Sequence, residues 1–102
     1  MKTIQTFEEF QTATNNPLSL FLFKTHTCSV CAAVAPKIEA FLIDFPAVSG
    51  FALWADLQPK IRGRMLVFSA PTVILFKDGQ EIHRQSRFID LEELRRQIEN
   101  AL

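Results

Sequence analysis

The residues best suited to chemistry are Cys28 and Cys31, the only cysteines in the chain of 102 residues, arranged as Cys28-Ser29-Val30-Cys31. Chance places two cysteines at this spacing in about 2 of 100 chains of this length, and the surroundings sharpen the signal. An apolar run, Leu18 to Phe23, and a short polar loop, Lys24-Thr25-His26-Thr27, lead into the pair, and helical spacing of apolar residues begins at it. A sulfur at that point lies among unpaired backbone N–H groups at the positive end of a helix dipole, which favours thiolate over thiol. The helix end is therefore expected to lower the Cys28 pKa moderately. The second sulfur lies one turn deeper, close enough to close a disulfide, so the pair suits two-step exchange through a mixed disulfide. Two plainer roles exist. Both residues could act as small buried hydrophobes, or with His26 they could supply three soft ligands, one short of the four a structural zinc site needs. His83 falls in a distant segment, and no metal is expected.

The elements that must position this pair follow from apolar periodicity. Thr6-Phe7-Glu8-Glu9 fits a capping box and opens a short amphipathic helix carrying Phe7 and Phe10, which Asn15-Asn16-Pro17 ends. Leu18 to Phe23 is the near-continuous apolar run of a strand covered on both faces. From Cys28 to Asp44, Cys31, Val34, Ala35, Ile38, Phe41 and Leu42 recur at helical spacing and Phe45 continues the stripe, with a kink expected at Pro36. Phe51 to Asp56 reads as a second buried strand, and Gln58 to Arg64 as a short helix. Pro71 to Phe76 is rich in β-branched residues, and Asp78-Gly79 predicts a tight hairpin into Glu81 to Ser86. Asp90 and Glu93 repeat the capping pattern ahead of a closing helix with Leu91, Leu94, Ile98 and Leu102 as its stripe. With an edge strand near Lys2 to Ile4, the order predicts an α/β domain with a mixed sheet.

Composition excludes several classes of function. Hydrophobic residues make up 48% and charged residues 22%, which is ordinary globular usage and argues against a disordered chain. Eleven basic residues balance eleven acidic ones, so no nucleic-acid partner is expected. Ten Phe, one Trp and no Tyr read as core filling. No stretch approaches the roughly 20 apolar residues a membrane span takes, so no membrane partner is expected. Glu8 and Glu9 stand where a secretory signal would be apolar, which predicts a cytoplasmic chain with reduced thiols. No repeat or linker interrupts the chain, so residues 1–102 are expected to form one domain.

Taken in order, these marks resemble the thioredoxin-like proteins. The resemblance rests on a strand leading to Cys28-Ser29-Val30-Cys31 at a helix start, Pro36 within that helix, a strand ending in Asp56, and Ala70-Pro71-Thr72 leading into a strand, the Lys77-Asp78-Gly79 hairpin and a final helix. It covers nearly the whole chain. It implies the thioredoxin fold, a three-layer α/β/α sandwich around a mixed central β-sheet of four to five strands. It also implies that Pro71 is cis and packs across from the cysteines, and that Ala70 offers its backbone to a bound peptide. Thr27, Ser29 and Val30, beside the cysteines, would join Ala70 and Pro71 as substrate-binding residues.

The departures carry information too. The family's typical Trp-Cys-Gly-Pro-Cys is replaced by Thr27 before the first cysteine and Ser29-Val30 between the two. Leu22 stands at the position of the family's buried acid, and Ala52 at that of its associated lysine. That acid is thought to help move the proton of the second cysteine, so its loss implies slower exchange or exchange restricted to particular partners. His26, two residues before Cys28, is a candidate for tuning the thiolate or accepting a proton, against the plainer role of a solvated loop histidine. Lys24 is expected to be a solvated loop lysine, Trp54 a core side chain, and Lys60, Arg62 and Arg64 a solvated basic face.

The combined expectation is a thiol–disulfide oxidoreductase in which Cys28 attacks a disulfide and Cys31 resolves the mixed disulfide. No bound cofactor is expected. Substrates would be disulfide-containing proteins or small thiol compounds, an external thiol or reductase would supply electrons, and the chain would act as a monomer. The competing expectation is a thioredoxin-fold binding module whose thiols are vestigial or ligate metal, supported by the apolar Leu22 and Ala52.

Overall fold

The computed structural model describes residues 1–102. Its elements are β1 (Lys2–Thr3), α1 (Phe7–Ala13), β2 (Leu18–Lys24), α2 (Ser29–Leu42), β3 (Ser49–Trp54), a single 3₁₀ turn (Ala55–Leu57), α3 (Pro59–Met65), β4 (Thr72–Lys77), β5 (Gln80–Ser86) and α4 (Leu91–Ala101). The strands form one sheet in the order β1-β3-β2-β4-β5. β3 pairs in parallel with β1 and β2, whereas β4 runs antiparallel to both β2 and β5. The mixed sheet follows from the connections. Helices return the chain between β1, β2 and β3, and the Asp78-Gly79 turn, with φ of 50° and 85°, folds β4 back onto β5.

The sheet is covered on both faces because its central strands β2 and β4 are apolar at most positions, with Ser19 and Thr72 the buried exceptions. On one face Phe21, Phe23, Phe51, Leu53, Ile74 and Phe76 pack against Phe10 of α1 and Ile61 of α3. On the other, Leu20, Leu22, Ala52, Val73 and Leu75 pack against Ile38 and Phe41 of α2 and Leu94 and Ile98 of α4. Alternation along β2 divides the run, odd residues going to the first layer and even residues to the second. Each such fully buried Leu or Phe contributes about 1.5–3 kcal/mol. The aromatic residues concentrate on the α1/α3 face, where Phe21 lies 4.9 Å from Phe10, 5.2 Å from Phe51 and 5.4 Å from Phe76 between ring centroids. Not every Phe fills the core, however: Phe68 and Phe88 are exposed.

Local chemistry sets the ends of the helices. Thr6 Oγ1 accepts the Glu9 N–H at 3.1 Å, and Asp90 Oδ1 accepts the Glu93 N–H at 3.1 Å. Several expected boundaries shift. β2 runs one residue further, so Lys24 ends a strand instead of lying in a loop. β3 stops at Trp54, because Ala55 and Asp56 turn into the 3₁₀ segment. α2 closes at Leu42, before Asp44, where the N–H groups of Asp44 and Phe45 bond three residues back and tighten the last turn. Pro36 removes one donor but does not end the helix. Leu102 is exposed and does not extend the α4 stripe.

Candidate active site

The site forms where β2 and β3 end and α2 begins. Cys28 is the N-cap of α2, with extended backbone (φ −98°, ψ 101°), and its Sγ accepts the Cys31 N–H at 3.2 Å. A sulfur in this position satisfies one of the free donors of the first turn, and that donor favours the anionic form. One turn on, the Cys31 sulfur lies at disulfide distance, with Cα atoms 5.4 Å apart. Exposure divides the pair: Cys28 is partly accessible, whereas Cys31 is 2% exposed. An incoming disulfide can therefore reach Cys28 and not Cys31.

Two depressions meet at the pair. A groove of about 560 Å³ is lined by Thr27, Cys28, Ser29 and Val30 on one side and by Phe68 and Ala70 on the other. The Ala70–Pro71 peptide is cis and Pro71 is buried at the head of β4. Five of the residues singled out in the sequence thus converge on one groove, and Pro71 adjoins it. On the other side, a cavity of about 170 Å³ is lined by Lys24, His26, Cys28, Cys31 and Trp54, among others.

The second cavity contains what periodicity missed. Trp54 is half-buried, not a core side chain, and its ring lies 3.9 Å from that of His26 at 17° to parallel. Lys24, its register partner across β2 and β3, holds Nζ 4.3 Å from the Trp54 ring centroid. Lys24 is half-buried at the end of β2, whereas His26 is an exposed loop side chain as expected, but one held by partners. His26 Nδ1 lies 2.7 Å from Asp56 Oδ2, and the His26 N–H also reaches that oxygen, at 3.4 Å. The hydrogen bond from His26 holds the Asp56 carboxyl below the usual carboxylate range. No three His, Cys, Asp or Glu side chains are grouped as a metal-ligand set. The basic cluster is divided as well: Lys60 sits over the Phe7 ring, and Arg62 Nε donates to the Val67 carbonyl at 3.1 Å.

A thioredoxin family model matches residues 2–100. The chain belongs to the thioredoxin family. It is 36% identical to the thioredoxin-like protein YdfQ of Bacillus subtilis over 74 residues, which are 72% of this chain and 66% of that protein, just under two thirds of its length. It is 32% identical to the thioredoxin of Chlamydia trachomatis over 85% of both chains. Among solved structures, Fasciola hepatica thioredoxin superimposes with a TM-score of 0.87 over 100% of both chains at 25% identity. Plasmodium falciparum thioredoxin gives 0.88 over 98% of both at 20% identity, a likeness of fold. Thioredoxin-family membership and a Cys28–Cys31 pair at disulfide distance together support thiol–disulfide oxidoreductase function.

Within this thioredoxin-family chain, the apolar departures sit side by side. Leu22 and Ala52 are register partners across β2 and β3, and both are buried in the α2/α4 layer. The only buried polar side chains anywhere are Ser19 and Thr72. No acid lies inside the protein.

Proposed function

We propose that the protein reduces or exchanges disulfides with Cys28 as nucleophile and Cys31 as resolving thiol, in the groove beside Ala70 and Pro71. The single observation that carries this assignment is the asymmetry of the pair: Cys28 caps α2 and is accessible, while Cys31 is buried one turn behind it. The Cys28 thiolate attacks a substrate disulfide, one substrate thiolate leaves, and a mixed disulfide remains. Cys31 then attacks Cys28 Sγ, expels the second substrate thiol and leaves the Cys28–Cys31 disulfide, so two electrons pass from the dithiol to the substrate. Thr27, Ser29, Val30 and Ala70, which line the groove, would contact an extended segment flanking that disulfide. Exposed Phe68 on the opposite wall favours a protein substrate over a small disulfide, because it offers apolar area to a partner. An external thiol or reductase closes the cycle, which suits a reducing compartment such as the cytoplasm. No helix is long and apolar enough to cross a membrane.

Trapping tests the roles. Cys31→Ser is expected to accumulate mixed disulfides with client proteins, and Cys28→Ser is not. Equal trapping by both variants, or by neither, would overturn the assignment and favour a binding module.

A further inference from the structure

Resolution of the mixed disulfide requires Cys31 to lose a proton, and the position at which the family carries a buried acid is filled by Leu22, fully buried among apolar neighbours. Since Ser19 and Thr72 are the only buried polar side chains, no interior group can take that proton. Direct loss to bulk solvent is also hindered, because Cys31 is almost wholly covered. The remaining route runs through the cavity of about 170 Å³ that Cys31 shares with Lys24, His26, Cys28 and Trp54.

Of the titratable groups facing that space, Lys24 is a cation held over Trp54 and has no lone pair to offer. Asp56, on the 3₁₀ turn, does not line that space, and its Oδ2 accepts from His26. That leaves the imidazole. We propose that His26, fixed by Asp56 and stacked on Trp54, accepts the Cys31 proton through water in the shared cavity as Cys31 attacks Cys28. This proposal rests on Cys31 being the resolving thiol.

The tautomer supports the direction of transfer. An ionised carboxylate can only accept, so the hydrogen between His26 and Asp56 belongs to Nδ1, and in the neutral ring Nε2 is the nitrogen that keeps its lone pair. At about 170 Å³ the cavity is roomy enough for bridging water, and Lys24, Thr25 and His26 contribute polar groups to its lining. The step balances. The Cys31 proton goes to Nε2, a Cys31–Cys28 bond forms, the Cys28–substrate bond breaks with its electron pair passing to the substrate sulfur, and the imidazolium then protonates that thiolate or solvent. Asp56 and Trp54 act as positioning residues, Asp56 holding the ring by its hydrogen bond and Trp54 by stacking.

A stopped-flow reaction of the reduced protein with 5,5′-dithiobis(2-nitrobenzoate) reads the two steps separately. Attack by Cys28 releases the first nitrothiobenzoate with a rate proportional to reagent, and attack by Cys31 releases the second with a rate independent of it. His26→Gln and Asp56→Asn are expected to slow the second phase near neutral pH, His26→Gln by about a hundredfold or more, in line with general-base contributions. The deficit should close at alkaline pH, where solvent removes the proton, and added imidazole should accelerate the second phase of His26→Ala. A merely structural role would produce neither the closing gap nor the rescue. An unchanged second phase in both His26 variants, or a deficit constant with pH and indifferent to imidazole, overturns the proposal. Release of a single equivalent by the wild-type protein would instead mean that Cys31 does not resolve, which overturns the proposed function and this inference with it.

Discussion

Restoring an acid at Leu22 measures how completely the interior beneath the site has been committed to packing. Leu22 is fully buried among Leu20, Ala52, Val73, Leu75 and Ile38, opposite Ala52 in the β2–β3 register. Leu22→Asp gives up about 1.5–3 kcal/mol of apolar burial. The carboxyl that replaces it meets no donor, which costs about 1–3 kcal/mol even when it is neutral. The penalty at pH 4 is therefore about 4 kcal/mol, a large part of the 5–15 kcal/mol typical of a folded domain. Burial raises the pKa of such a carboxyl in the folded state above its unfolded value of about 3.9, so the folded state holds its proton longer. Stability must then fall as pH rises from about 4 to the folded-state value, by about 1.4 kcal/mol for each pH unit in that window. Leu22→Asn supplies the polar cost without the charge and should lose a similar amount at every pH. Urea unfolding of both variants at pH 4, 6 and 8 provides the numbers. A Leu22→Asp penalty below about 1 kcal/mol, or one that matches Leu22→Asn at all three pH values, would refute the account of this layer.

Three further outcomes follow from the same geometry. Because its bond to His26 lowers the Asp56 pKa, Asp56 should titrate below the ordinary carboxylate range, and its stabilising effect, complete above the unfolded value, should be lost as pH falls from there through the depressed value; carboxyl NMR titration should show a return towards the ordinary range in His26→Gln. In the reduced protein at neutral pH, iodoacetamide should label Cys28 well before Cys31, since only Cys28 is accessible, and peptide mapping at short times reads the order. Asp90→Ala removes the N-cap of α4 and should cost about 1 kcal/mol in thermal or urea unfolding without altering the reactivity of the cysteines.

Much of the fold was legible in residues 18–23, 71–76 and 91–98, where apolar period and turn chemistry agree. The Asp78-Gly79 dipeptide marked the hairpin because both residues take positive φ, a conformation open to few residue types. Even the weakly patterned Gln58 to Arg64 formed a helix, α3, with Pro59 at its first turn and Ile61 facing the core. The cysteine pair declared itself by its spacing and by its place between an apolar run and the start of a helical stripe. The neighbours of the pair did not. Trp54 lies in a run that reads as buried strand, and the His26 ring stacked on it comes from 28 residues earlier, on a loop without period. Asp56 looked like the end of a strand, and only the 3₁₀ turn brings its carboxylate to His26. Such side-chain meetings depend on the register between β2 and β3, which local patterning does not set. Phe68 and Phe88 show the converse limit, since aromatic composition alone cannot separate a core residue from one left exposed.

An equilibrium redox titration of the purified protein in dithiothreitol buffers, with free thiols counted at each ratio, tests the central claim most directly. One reversible two-electron couple is expected, in which both thiols disappear together into an intramolecular Cys28–Cys31 disulfide. Two thiols that persist across the accessible range, or a disulfide that forms only between chains, would contradict it.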